Sequence, residues 1–456
     1  MPHPSNWRST LLLTLLALPI SVMLALAYRN QPGEGTITVH PDQEFQEIHG
    51  WEAVAQASLS ELDKYDNRQE VLDELFDKAV DFGLTRLRLG VSSGAENTRD
   101  FTAEYRAGRI SRDEERCGRY STVNDNDDPN VINPRGFIWT GFDREIREDV
   151  LPLARRLEAR GEKLWVNVQY TAFTHQICRG YRFDHDRPEE YAEFASAVYQ
   201  HMRDTFGIVP DTWEVMLEPD NNTVFTPELL AAVTEATAAR LQRDGFTPSF
   251  VGPGVTNAAS TLTYFDATWE KTALRPFLKE MSYHRYGGGT PEIIQGIGDA
   301  SRTRGVPSSM LEHIGAGVDE LYDDLTRGNV SAWQQFALSW PDADTGAHYF
   351  ILDPAKPAGE RATLSSTGSY LRQYFRALRP GARRLGADSS DGDFRPIAAR
   401  NPDGRLAVVV RTDRARWEGE SDPCAGSVDV DDRGVAVVDM PDAGVFSLVR
   451  QPNAAP

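Results

Sequence analysis

Between residues 49 and 382 the chain alternates short apolar runs with amphipathic helical stretches, and this rhythm limits the fold more than any other feature. After a first strand near Gly50-Trp51, strand-like runs sit at Leu84–Val91, Lys163–Tyr170, Thr212–Leu217, Ser249–Gly252, Met281–Tyr286, Ser308–Glu312 and Val330–Phe336. Helical stretches separate them. Ser60–Phe82 carries Leu72, Leu75, Phe76 and Ala79 at helical spacing, and Phe142–Arg160 sets Ile146, Val150, Leu153 and Leu157 on one face. Pro188–Phe206 repeats the pattern with Tyr191, Phe194, Ala195, Val198 and Met202. Thr226-Pro227-Glu228 reads as an N-cap, a first-turn proline and a first-turn acid, so another helix starts there. Four more are expected over Tyr264–Lys279, Pro291–Thr303, Val318–Thr326 and Ser369–Leu378. Strand–helix alternation implies a parallel sheet with helices outside it. The repeat count over residues 49–382 fits an α/β fold of the (β/α)8 TIM-barrel type. A doubly wound open sheet would want a GxGxxG after its first strand, and the sequence has none there.

The two ends differ from this middle. From about Arg383 the chain turns to short β runs, Leu406–Val410, Val435–Val438 and Val445–Leu448, divided by Asn-Pro-Asp-Gly and Pro-Asp-Ala-Gly turns. Residues 383–456, joined by 36–48 with the strand-like Thr36–Val39, are predicted to form a C-terminal β-sandwich domain. At the other end Arg8 precedes an apolar run, Leu11–Ala27, that closes on the small residues Ala25 and Ala27. Residues 1–27 therefore read as a signal peptide, or as an uncleaved membrane anchor, since the run is nearly long enough to span a bilayer. Either reading makes the body an exported one, secreted or periplasmic, with membrane contact only through that segment. Export permits disulfides. Cys117 and Cys178 both fall in loops on one face of the expected barrel and form the expected pair, leaving Cys424 over.

The formal net charge of -20 argues against a nucleic-acid partner, because tracking phosphates takes a basic surface. It suits a neutral partner such as a sugar. The polar stretch Ser92–Ile138 is the longest loop and should rise over the barrel mouth. Within it, Asn124-Asp125-Asn126-Asp127-Asp128 could ligate calcium, but the other ligands of an EF-hand loop are missing, which favours a solvated turn. No metal or other cofactor is expected.

Barrel enzymes place reacting groups at the C-terminal ends of strands. Glu218 follows the fourth strand, stopped by Pro219, and Glu312 ends the seventh. One acid at a strand end commonly caps a helix or holds a loop. Two on opposite sides of one mouth are more specific. Hydrolysing a glycosidic bond with retention needs a carboxylate nucleophile and a carboxylic acid about 5 Å away.

Several segments give the chain a family resemblance. Gln46-Glu47-Ile48-His49-Gly50-Trp51 resembles the lead-in to the first strand of glycoside hydrolase family 30, and Arg86-Leu87-Arg88-Leu89-Gly90 its second strand. Glu218-Pro219-Asp220-Asn221 resembles the acid/base motif, and Tyr283-His284-Arg285-Tyr286 the sixth-strand His-x-Tyr. Ser369-Tyr370, Arg379-Pro380-Gly381-Ala382 and Arg400-Asn401-Pro402-Asp403-Gly404 resemble the helix leading into the C-terminal β domain and a turn within it. Acids on strands four and seven mark clan A as a whole, so the chain resembles that clan, family 30 most, with some likeness to family 39. The resemblance implies a retaining glycosidase acting on an oligo- or polysaccharide by double displacement. Glu218 would be its acid/base, Glu312 its nucleophile, Tyr286 a hydrogen-bond donor to Glu312, Arg88 a charge beside it, and His284 a subsite wall. Where the clan carries Asn before its acid/base, this chain has Leu217, for which Asn167, Asn221 or Asn222 could substitute. Leu217 also leaves room for the alternative, a carbohydrate-binding barrel that no longer cleaves. Trp51 and Trp333, near strand ends, are the first candidates to stack on a sugar ring.

Overall fold

The computed structural model describes residues 34–55, 61–173, 182–222, 224–340, 346–390, 392, 394–412, 427–430, 435–439 and 444–450. The candidate signal or anchor, together with Cys178 and Cys424, lies outside the described residues. Cys117 is disulfide-bonded. Among the described residues no helix is long and apolar enough to cross a membrane.

The chain divides into two compact units, Gln46–Arg383 and Met1–Phe45 with Arg384–Pro456. The first is a closed barrel. Its eight strands are β2 (Gly50–Val54), β3 (Arg86–Ser92), β4 (Trp165–Thr171), β5 (Thr212–Glu214), β6 (Phe250–Asn257), β7 (Leu278–Gly287), β8 (Ser308–Glu312) and β9 (Val330–Trp333). Each pairs in parallel with the next, and β9 closes on β2 through Gly50↔Ala332 and Trp51↔Trp333. Helices cover the outside as the rhythm predicts. Pro188–Phe206 buries Tyr191, Phe194, Ala195, Val198 and Met202 and stops at Gly207, whose φ of 69° makes the left-handed cap. Full burial of each large side chain contributes roughly 1.5–3 kcal/mol. The Thr226 side chain caps Pro227–Arg243 by accepting from the Leu229 N–H, as its position predicts.

Three features depart from the expected layout. The run Val330–Phe336 is not one strand: β9 ends at Trp333, and the chain sidesteps into β10 (Ala337–Trp340), which pairs with β2 at Val54. Strands β11 (His348–Leu352) and β12 (Ala362–Leu364) then extend the sheet from β10. The long loop also holds two short helices, Phe101–Arg106 and Arg112–Gly118, the second opened by a capping box between Ser111 and Glu114. Finally, β5 ends at Glu214, four residues before Glu218.

The second unit is an antiparallel sheet. It places β1 (Glu34–Glu47) between Val435–Asp439 and β13 (Arg383–Ser389), followed by Phe394–Arg400, Leu406–Thr412 and Gly444–Arg450. Ile37, Val39, Leu385, Phe394, Ala398, Val408 and Val410 make its core.

Candidate active site

Barrel interiors are usually filled by branched apolar side chains. Here β3 sends two arginines inward, Arg86 and Arg88, both wholly buried. A buried guanidinium is tolerated only when carboxylates and acceptors surround it, and each of the two has its own set. Arg86 donates to Glu52 Oε2 at 2.7 Å and to both oxygens of Glu280 at 2.6 and 3.0 Å, and His49 Nδ1 lies 3.2 Å from Glu280 Oε1. Burial disfavours the charge on Glu280, but Arg86 and His49 overcome it and hold this carboxyl down at about 2. For Glu52 burial wins, aided by the Glu280 charge, and its carboxyl is raised despite Arg86.

One inward position higher, Arg88 donates through Nε and Nη2 to the two oxygens of Glu214, at 2.8 and 2.5 Å. Its Nη1 donates to Glu312 Oε2 at 3.0 Å, and its Nη2 meets His284 Nε2 at 3.3 Å. Arginine can only donate, so His284 Nε2 accepts. The ring proton then sits on Nδ1, from which it donates to Glu218 Oε1 at 3.1 Å. Tyr286 donates its hydroxyl to Glu312 Oε1 at 3.1 Å. Burial, followed by the Glu312 charge, raises the phenol far above its ordinary value, so this hydroxyl keeps its proton.

Glu218 sits on a strained turn. Its φ of 54° and ψ of 56° are left-handed, a conformation that costs a side-chain-bearing residue on the order of 1–3 kcal/mol. The turn is held by the Glu218 N–H donating to the Gly254 carbonyl at 3.0 Å. Gly254 has a φ of +61°, and a Cβ there would fall 2.3 Å from Glu214 Oε1, so glycine alone fits both demands. Burial pushes the Glu218 carboxyl up. The hydrogen bond from His284, then the one from Asn221 and the Arg88 charge, pull harder and leave it below its ordinary value.

These bonds converge. A carboxylate oxygen of Glu218, a ring nitrogen of His284 and a carboxylate oxygen of Glu312 lie within 4.8 Å of one another. Both glutamates are 8 % exposed, the only acids of the two interior layers with any opening to solvent among Glu52, Glu214, Glu218, Glu280 and Glu312 beyond 1 %. Distance alone would let this trio hold a metal ion. However, both His284 nitrogens are committed and the Arg88 guanidinium touches two of the three residues, which opposes a further cation.

Other expected residues fall elsewhere. Trp51 and Trp333 are wholly buried, so neither offers a face to a sugar, and the stacking expected of them is corrected. Trp51 stacks on Phe375 at 4.5 Å and donates to the Leu378 carbonyl, while Trp333 packs edge-on against Phe375 and donates to Asp324. Asn222 spends its amide on the Ala172 carbonyl and the Val224 N–H and holds a loop instead of a ligand. Asn167 belongs to the lower layer, bonded to Glu52 and Thr212. Of the three asparagines weighed against Leu217, Asn221 alone reaches a carboxylate of the pair, Glu218 Oε2, at 3.4 Å. Glu214 was not foreseen. The signal for it was the pair of inward arginines on β3, which required more strand acids than Glu312.

No protein-family profile matches the sequence. Among solved structures the chain is similar to the catalytic domain of the GH30 xylanase C from Talaromyces cellulolyticus, at 15 % identity and a TM-score of 0.61, covering 91 % of this chain and 100 % of that one. An endo-beta1,6-glucanase matches at 16 % identity, 90 % and 93 % coverage and a TM-score of 0.61. SrfJ from Salmonella typhimurium matches at 14 % identity, 91 % and 93 % coverage and 0.62. The fold is that of the family 30 glycoside hydrolases. At these identities the likeness is one of fold, and what the barrel of this chain does rests on its own residues.

Proposed function

We propose that the chain is a retaining glycoside hydrolase that cleaves O-glycosidic bonds of an oligo- or polysaccharide, with Glu312 as nucleophile and Glu218 as acid/base. The observation that carries this reading is the approach of the two carboxylates to within 4.8 Å across a partly open barrel mouth. Retention calls for about 5–5.5 Å between the carboxyl groups, and inversion for about 6.5–9.5 Å to admit a water. A xylanase and an endo-beta1,6-glucanase share the fold, which favours a carbohydrate substrate.

Arg88 and Tyr286 grip Glu312 by its two oxygens and aim it. Glu312 attacks the anomeric carbon as Glu218 gives its proton to the departing oxygen. In the second half Glu218 takes a proton from water, which displaces Glu312 from the same carbon. The second half suits Glu218 as it stands, below its ordinary value. The first half needs it protonated. A bound sugar displaces water from both carboxylates, and in a drier site their mutual repulsion favours one shared proton.

The test is proton NMR of the first-formed anomer from an aryl glycoside or oligosaccharide, together with mass spectrometry of enzyme trapped by an activated fluoroglycoside. Retention and a label on Glu312 are expected; inversion, or a label elsewhere, would overturn the assignment. A second reading, binding without cleavage, draws on Leu217, whose side chain offers no hydrogen bond at the position before Glu218. Tight sugar binding with no turnover on any substrate would favour it.

A further inference from the structure

The two carboxylates of the mouth are held in place by different means. Glu312 closes β8, and the ladder runs up to it: Met310 pairs with Trp333 on one side, and Glu312 itself pairs with His284 on the other. Glu218 has no such ladder. Pairing of β5 stops at Glu214. Beyond it the backbone is tied to the neighbouring strands by single hydrogen bonds, from the Leu217 N–H to the Tyr170 carbonyl at 2.9 Å and from the Glu218 N–H to the Gly254 carbonyl at 3.0 Å. Pro219 comes next and has no N–H to offer.

Asp220 supplies a further tie. Its Oδ1 accepts from the Thr256 N–H at 2.6 Å, and its Oδ2 accepts from the Asn257 N–H and from the Asn257 side-chain amide, each at 3.0 Å. These donors belong to the last two residues of β6, the strand whose Gly254 already holds the Glu218 N–H. Hydrogen bonds to an ionised carboxylate are stronger than those to a neutral acceptor. The turn is thereby fastened to one strand on both sides of Pro219. That fastening matters because Glu218 is left-handed, at φ 54° and ψ 56°. A side-chain-bearing residue keeps such a conformation only where its surroundings impose it.

We propose that Asp220 is a positioning residue for Glu218: by holding the turn against β6 it keeps the Glu218 carboxyl within proton-transfer distance of the departing glycosidic oxygen. The inference rests on the glycosidase reading and adds to it a residue whose carboxylate is committed to β6 and leaves the proton transfer to Glu218. Proton transfer demands hydrogen-bond reach, so a small displacement of the turn is felt in the rate. A carboxylate that merely stapled the loop would affect stability, or slow every substrate alike. A positioning residue slows the steps that Glu218 carries and spares the others.

The test compares wild type, Asp220→Ala, Asp220→Asn, Glu218→Ala and the double variant Glu218→Ala/Asp220→Ala. Substrates are aryl glycosides, from dinitrophenyl to phenyl, of the sugar the wild type turns over, with thermal melts run alongside. In Asp220→Ala, kcat/KM for the phenyl glycoside, whose leaving group needs a proton, should fall by about a hundredfold, and for the dinitrophenyl glycoside by no more than about threefold. Asp220→Asn keeps the size and one acceptor oxygen but turns an NH2 toward a backbone N–H. It should show the same split in smaller measure, and it serves should the alanine variant fail to fold. In the Glu218→Ala background the Asp220→Ala change should cost nothing further, since a residue that acts through another then has nothing to act on. An equal loss across leaving groups, or a further loss in the Glu218→Ala background, would reduce Asp220 to a loop staple. A slowed Glu218→Ala beside an unchanged Asp220→Ala would overturn the positioning role and leave the glycosidase reading standing. A wild type without turnover on any sugar, or Glu218→Ala at wild-type rates, would overturn that reading and the role with it.

Discussion

The two interior layers of the barrel are built alike and end differently. Arg86 and Arg88 sit two residues apart on β3, and each is gripped by two glutamates with a histidine beside them. In the lower layer Glu52 and Glu280 are no more than 1 % exposed, and every strong donor is matched within the layer. In the upper layer one of the two acids, Glu312, opens toward solvent and gains a second donor in Tyr286, while His284 passes on to another open acid, Glu218. The same ion-pair chemistry thus makes a sealed layer at the lower level and, at the upper level, one that opens to solvent, where the proposed reaction would take place.

This contrast can be broken from either side. The largest effect should come from Glu312→Gln, expected to cost turnover roughly four orders of magnitude or more while leaving Tm nearly unchanged. A rate near wild type would remove the distinction between the layers. Glu218→Ala should slow turnover by about 10²–10⁴-fold, least for substrates whose leaving groups need no proton, measured across a series of aryl glycosides.

The lower layer should answer in the opposite currency. Glu280→Ala leaves Arg86 short of a partner and should destabilise the fold by about 3–5 kcal/mol in denaturant melts, with little change in turnover per folded molecule. Glu280 also sets a pH dependence. Its carboxyl is lowered from 4.5 to about 2, so its stabilisation is fully present above 4.5 and is lost as pH falls toward 2. The stability of Glu280→Gln should therefore fall less steeply over that window. The smallest and most specific effect belongs to His284→Ala. Removing the donor to Glu218 should move the alkaline limb of kcat/KM to higher pH, since that limb follows the acid in the free enzyme. An unmoved limb would confine His284 to packing.

Much of this was legible in the sequence, for identifiable reasons. Helices with a continuous apolar stripe and their own caps, such as Pro188–Phe206 and Pro227–Arg243, are encoded locally and fall where the pattern puts them. Glu312 likewise falls at the end of β8, whereas Glu218 lies four residues past the end of β5, because the run Thr212–Leu217 reads as strand throughout and only its first half pairs as one. Other errors trace to parity. Successive strand residues face opposite ways, and since Glu52 faces the barrel interior toward Arg86, Trp51 beside it must face the helices. Nearness to a strand end makes a tryptophan a sugar platform only where that count agrees. The sidestep after Trp333 leaves no local mark, because Val330–Phe336 reads as one run and only pairing with β2 divides it.

What the sequence determined by itself is the order of eight strand–helix units, the acid that closes the seventh strand and the one that follows the fourth, and the two arginines that must be answered from elsewhere. What the tertiary structure alone decided is which acids answer which arginine, the left-handed turn that seats Glu218 against Gly254, and the 4.8 Å that brings Glu218 and Glu312 together. Those depend on contacts between residues scores of positions apart, fixed by the closure of the barrel and not by any local preference of the chain.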